Sequence, residues 1–255
     1  MSFEYRAFPE KYFGKNVEFK PEDPTLFKKR QSKFRQHLIR FIESLPQNAR
    51  VLDAGCGNAK VTKNILTLRP DIKVYAMDIT DVTAYIPKGV EFKVGSVETL
   101  DTMYEPQFFD AVISLHVIEH LLFPMDMITS MRKVLKPQGK IFLETPNWMR
   151  IFMPFSQHFF WNDYTHIRPF SKFAMYKLLS EYGFTKINMV TTNTMTLLNK
   201  SSQTSCCESP THSKGESEGG SSYPRRSLFA RISLRLVHPL FKDVLIVEAV
   251  KGNEK

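Results

Sequence analysis

The chain has 255 residues, 42% hydrophobic and 24% charged, with a formal net charge of +9. That length suits one substantial core, or one core with an appended part, and the composition excludes a chain disordered throughout. Charges within residues 1–6 leave no apolar run for a signal peptide, and the apolar stretch 111–128 is broken by His116, Glu119, His120 and Asp126, which excludes a membrane span. The cysteines are Cys56, Cys206 and Cys207. An odd, unpatterned set points to a reducing cytosol and a cytoplasmic protein, not to a disulfide framework or zinc site.

Residues 1–24 are aromatic-rich and poorly periodic, with Tyr5, Phe8, Tyr12, Phe13 and Phe19 among charges. Thr25 is the expected cap of one helix running to about Leu45, with Phe27, Phe34, Leu38, Phe41 and Ile42 on one face and Pro46 as the stop. An acid-free basic run, with Lys28, Lys29, Arg30, Lys33, Arg35 and Arg40, lies on it, and a second spans residues 219–242. Such runs read first as solvated faces and second as contacts for phosphate-bearing partners.

Alternation follows. Strands are expected at 51–54, 74–77, 91–94, 109–115 and 140–144, with helices at 61–68 and 126–135. The second helix is closed by Lys136-Pro137-Gln138-Gly139. Ser171 caps a further helix, with Gly183 just past its end. Residues 184–190 and 243–250 supply strands six and seven. The Ser/Gly-rich segment 199–227 is too polar to order itself and is expected as a flexible insertion. The domains expected are therefore 1–47, an arm and helix placed to cover an acceptor site, and one domain over 48–198 and 228–255.

The segment Val51-Leu52-Asp53-Ala54-Gly55-Cys56-Gly57-Asn58-Ala59-Lys60 ends an apolar strand in a carboxylate, then two glycines, then a helix start. Backbone that bare lets a ligand lie against it. A dinucleotide fingerprint needs a third glycine where Lys60 stands, so that reading fails. Asp78 ends the second strand, 21 residues after Gly57, placed to accept both hydrogen bonds of a ribose diol. Together these residues resemble motif I and the second-strand acid of the class I S-adenosylmethionine-dependent methyltransferases. The fold the resemblance implies is α/β, a Rossmann-like seven-stranded, mostly parallel sheet with helices on both faces.

The resemblance implies S-adenosyl-L-methionine as cofactor. Asp53, Gly55, Cys56 and Gly57 would form the turn, and Asp78 with Ile79 would face the ribose. Ser96 or the Val97 N–H would face adenine, and the backbone of Leu115 or His116 the methionine end. Ser96 departs from the acid that relatives often carry after strand three. The stretch Val117-Ile118-Glu119-His120 most resembles the ubiquinone-biosynthesis O-methyltransferase branch, and Asp163-Tyr164-Thr165-His166-Ile167-Arg168-Pro169-Phe170-Ser171 also fits the family.

A methyl group on a sulfonium is already activated, so the protein must align a nucleophile, exclude water and remove a proton. His116 is the first candidate general base and His166 the second. That branch is associated with a divalent ion, which would make His116, Glu119 and His120 an alternative ligand set. Two nitrogens and one carboxylate suit a transition metal better than magnesium, and the expectation is no metal. The aromatic run 148–161 reads equally as a lid over a hydrophobic substrate or as packing, and Tyr12 and Phe13 are a weaker candidate for closing the other side. The expected partner is a small-molecule or lipid-linked acceptor, with peripheral membrane contact left open. RNA is a less favoured acceptor, because no Asn/Asp-Pro-Pro-aromatic segment follows strand four. A non-catalytic cofactor-binding protein is the remaining alternative.

Overall fold

A computed structural model describes residues 19–32, 35–152, 159–192 and 242–253. The strands are β1 (Arg50–Ala54), β2 (Lys73–Asp78), β3 (Glu91–Val94), β4 (Phe109–Leu115), β5 (Leu135–Pro146), β6 (Phe184–Thr192) and β7 (Val244–Lys251). They form one sheet in the order β3-β2-β1-β4-β5-β7-β6. The pairs from β3 to β5 are parallel, and β7 runs antiparallel between β5 and β6. Strand order reverses between β1 and β4, so a crevice opens at their carboxyl ends, where open α/β sheets take ligands.

The helices are α1 (Pro24–Arg30), α2 (Gln36–Glu43), α3 (Lys60–Leu68), α4 (Leu100–Met103), α5 (Pro124–Val134) and α6 (Lys172–Glu181). Side chains alternate across the strands and split the core in two. Leu52, Val112 and Leu143 join Met127 and Met131 of α5 and Met175 and Leu179 of α6 on one face. Val51, Val74, Ile113 and Phe142 meet Phe27, Ile42 and Ile65 of α1, α2 and α3 on the other. Burial on both faces explains why β1, β2 and β4 read as unbroken apolar runs. Among the described residues no helix is long and apolar enough to cross a membrane.

Three expectations change. The single helix over 25–45 is two. Asp23, not Thr25, caps α1, its Oδ1 accepting from the N–H of Thr25 and Leu26 at 2.9 Å, and Gln31 turns extended to end it. Pro24 occupies the first helical turn, where its missing N–H costs nothing. The turn at 136–139 is absorbed into β5. Leu135 pairs with Phe109 and Lys140 with Ala111, so these residues form a bulge, with Gln138 at φ 61°. The extended Arg50–Ala54, Lys73–Asp78 and Phe184–Thr192 strands outrun their sequence estimates because backbone pairing continues past the apolar residues.

Ser171 does cap α6, accepting from the Ala174 N–H at 3.1 Å. Ser171→Ala is expected to lower stability by about 1 kcal/mol in a urea melt. The insertion at 199–227, the second basic run up to Phe241, Cys206, Cys207, and the arm residues Tyr5 to Phe13 lie outside the described residues.

Candidate active site

The glycine turn is bolted to the end of β2. The N–H groups of Gly55 and Cys56 both donate to the Met77 carbonyl at 2.9 Å. Gly57 donates its N–H to Asp78 Oδ2 at 2.9 Å, and Asp78 Oδ1 accepts from the Thr80 N–H at 2.9 Å. Each carboxylate oxygen retains acceptor capacity for a diol. Burial pushes the Asp78 carboxyl above its ordinary range, against the pull of those backbone donors. Ile79 follows, half-buried.

Asp53 does different work. Its Oδ2 accepts from the Thr62 N–H at 2.9 Å and the Thr62 hydroxyl at 2.7 Å, clamping the first turn of α3 to β1. Burial pushes it up to about 7, with the Thr62 hydrogen bonds pulling the other way. Asp53 therefore shapes the turn from beneath. Burial raises the Cys56 thiol far above its usual range, so it is a thiol and not a nucleophile.

Gly55 has φ +80°, and a Cβ there would stand 2.4 Å from Val117 Cγ2. The bare backbone thus seats the exit of β4 directly on the turn. Gly55→Ala should cost about 1–2 kcal/mol from the left-handed backbone alone, with more from Val117, read as a lower thermal midpoint. Past β3, the Ser96 hydroxyl accepts from the Glu98 N–H at 3.2 Å and caps the short 3-10 turn Val97–Thr99. Val97 buries its side chain in the core, and its carbonyl accepts from the Ser130 hydroxyl at 2.7 Å. These cofactor candidates do gather along the carboxyl ends of β1, β2 and β3.

At the end of β4, Leu115 is half-buried and His116 adopts φ 56°. Its Nδ1 lies 3.2 Å from Glu119 Oε1 and its Nε2 2.9 Å from Glu144 Oε1. The two carboxylates are buried, at 0% and 2% exposure, while the imidazole is 42% exposed. Desolvation opposes charge on His116, but both carboxylates outweigh it and hold the ring up to about 10. His116 is therefore an imidazolium at neutral pH. Both its nitrogens donate, so it has no lone pair with which to act as a base. The first-choice base is thus held between two buried carboxylates.

The same geometry tests the ion that the resemblance implies. Both ring nitrogens of His116 already meet carboxylates, so it would join Glu119 and His120 around an ion only by giving up one of these hydrogen bonds and its proton. Glu119, His120 and His166 each offer one ligand-type atom within 4.8 Å of the others. Glu119 already accepts from His116 and, at 3.0 Å, from the Thr145 hydroxyl. Hydrogen bonding to His116 helps hold Glu119 ionised, below its ordinary value, against burial.

The loop 163–168 returns to this point. The N–H groups of Ile167 and Arg168 donate to the Glu119 carbonyl at 2.8 and 3.3 Å. His166 Nδ1 lies 2.6 Å from the Phe160 carbonyl, and its side chain is 11% exposed. Its ring lies tilted against Phe160 and His120, with centroids 4.5 and 4.8 Å away. Burial lowers its affinity for a proton below the ordinary histidine value. His120 Nδ1 meets the Thr165 hydroxyl at 2.9 Å and the Thr165 carbonyl at 3.2 Å. Part of the aromatic run is exposed: Phe152 at 56% and Trp161 at 49%. Residues 153–158 lie outside the described part. Sequence reading assigned no role to Thr62 or Glu144, and it took Asp163 and Thr165 only as part of a family-like segment. Glu144 carried a signal as a carboxylate inside an apolar strand.

The family model for a methyltransferase domain matches residues 26–188. A ubiquinone biosynthesis O-methyltransferase of Xanthomonas axonopodis pv. citri is 33% identical over 110 residues, covering 40% of this chain and 45% of that protein. The chain thus matches about half the length of its curated relatives. A SAM-dependent methyltransferase from Archaeoglobus fulgidus aligns with a TM-score of 0.60 at 18% identity, covering 89% of this chain and 99% of that one. Phosphoethanolamine N-methyltransferase 2 of Haemonchus contortus aligns at 0.57 and 15% identity, covering 86% and 52%.

Proposed function

The chain belongs to the methyltransferase-domain family, the S-adenosylmethionine-dependent class that its glycine turn resembles, and from that premise we propose O-methylation of a small or lipid-linked acceptor. The observation that carries it is the β4 exit. Val117 sits on Gly55, and three residues further on His120 lies ring to ring with His166. The partial match to ubiquinone biosynthesis O-methyltransferases supports oxygen as the acceptor atom.

When bound, S-adenosylmethionine supplies a methyl group activated by its sulfonium. In the proposed site Asp78 accepts from the ribose hydroxyls, and Gly55 and Gly57 let the cofactor lie against bare backbone. Ser96 or the Val97 N–H faces adenine, and the backbone at Leu115 and His116 borders the methionine end. His166, the second candidate, whose proton affinity burial lowers, removes the acceptor proton. Exposed Phe152 and Trp161 border the acceptor side with apolar surface.

The test incubates the purified chain with methyl-labelled S-adenosylmethionine and catechol, a prenylated catechol and phosphoethanolamine, with products identified by mass spectrometry. Methyl ethers of either catechol are expected. Label only on the amine, or no transfer from a protein that binds S-adenosylhomocysteine, overturns the reading.

A further inference from the structure

We propose that the open edge of β3 is a joint between two copies of this chain, paired antiparallel about Phe92. Among the described residues β3 and β6 end the sheet, and the two edges are built differently. β6 is guarded: its register shifts between Thr185 and Asn188, and Lys186 there stands at φ 49°. Bulges and edge lysines of this kind hinder pairing with another strand. β3 has no such guard. Its four residues pair with β2 without a shift, from Tyr75–Glu91 to Asp78–Val94. The crossover before it carries only the 3-10 turn Thr83–Tyr85, where a parallel pair ordinarily has a helix. The face under that turn is therefore thinly covered. Cys56, Ala76 and Val82 are buried there, but Tyr85, Ile86, Val90 and Phe92 only in part, and Val94 is 52% exposed.

Backbone alternation fixes which groups face outward. The Gly95 N–H donates to the Asp78 carbonyl at 2.9 Å, so Glu91 and Lys93, at alternate positions, also turn their backbone groups toward β2. Phe92 and Val94 turn theirs to the open edge. Side chains alternate as well, with Val90, Phe92 and Val94 on one face and Glu91 and Lys93 on the other. Lys93 marks that second face, its Nζ 3.5 Å from Glu91 Oε1 and 4.4 Å from the Tyr104 ring centre. An antiparallel copy centred on Phe92 satisfies both patterns. Phe92 meets its counterpart as a hydrogen-bonded pair, and Val94 meets Val90 of the second copy, making one apolar stripe. On the other face each Glu91 stands opposite the second copy's Lys93, so opposite charges meet twice. Sliding the copies by two residues would set Glu91 on Glu91 or Lys93 on Lys93, so charge selects the register. A two-fold pairing of this kind closes at the dimer. The joint also borders the cofactor end of the crevice, because Val94 is in register with Asp78.

The test takes the full chain through sedimentation equilibrium from about 1 μM to about 1 mM, a range suited to so small an interface. A monomer–dimer equilibrium is expected, with slower exchange of the Phe92 and Val94 amides as the dimer fills. Glu91→Lys should weaken it about tenfold or more, because both cross-strand pairs become like-charged. Lys93→Glu should do the same, and an equimolar mixture of the two variants should recover wild-type affinity as a heterodimer. Thermal midpoints confirm that each variant folds. Val94→Pro removes an outward N–H, leaves the pairing with β2 alone, and should break the dimer independently of charge. A monomer throughout, assemblies beyond the dimer, an association indifferent to Glu91→Lys, or folded variants whose mixture recovers nothing would each overturn the proposal. So would Phe92 and Val94 amides protected at every dilution, the sign that another segment of the same chain covers the edge.

Discussion

His116→Ala is expected to cost about 3 kcal/mol of folding stability, the low end for breaking a buried ion pair because the imidazole itself is 42% exposed. The loss falls on its partners. Glu119 and Glu144 are buried and share His116 as the cation between them, with Arg35 Nη1 also 3.6 Å from Glu144 Oε2. Without the imidazolium, two carboxylates face each other in poor solvent. The pH dependence has a definite sign. His116 is raised from 6.5 to about 10 on folding, so its contribution is complete below about 6.5 and disappears as pH rises through about 10. The gap between wild type and His116→Ala in urea melts should therefore narrow over that window. A gap under 1 kcal/mol, or one indifferent to pH, would refute the network. His116→Gln should recover little, because an amide cannot donate in both directions with charge.

Asp78→Ala should weaken S-adenosylhomocysteine binding at least about tenfold, since a charged hydrogen bond contributes about 1.5–3 kcal/mol and this carboxylate is expected to make two to the ribose. The side chain also holds Gly57 N–H at 2.9 Å, so its loss loosens the turn as well as the contact. Asp78→Asn separates the two effects: an amide oxygen still accepts from Gly57 but carries no charge toward the diol. Calorimetry should rank wild type, then Asn, then Ala. Equal affinities across the three, with unchanged thermal midpoints, would remove Asp78 from the cofactor site.

Much of the fold was legible in particular residues. The apolar runs ending in Asp53 and Asp78 marked β1 and β2 because a strand buried on both faces tolerates polar groups only at its end. Ser171 and Gly183 bounded α6 through capping chemistry that is local to the chain. The break between α1 and α2 was not legible. Phe27, Leu38, Phe41 and Ile42 keep helical spacing across it, and only Asp23 and the extended Gln31 show where the backbone departs.

Sequence by itself determined the donor side of this protein. The turn Gly55-Cys56-Gly57 and the acid Asp78 lie close to single strand ends, and their roles follow from backbone freedom and position along a strand. Only the tertiary structure decided the acceptor side, because protonation depends on neighbours distant in the chain. Glu144 reaches His116 from 28 residues away, and Thr165 reaches His120 from 45. Those contacts hold the first histidine between two carboxylates and tie the second to the 163–168 loop, a distinction that no spacing along the sequence records.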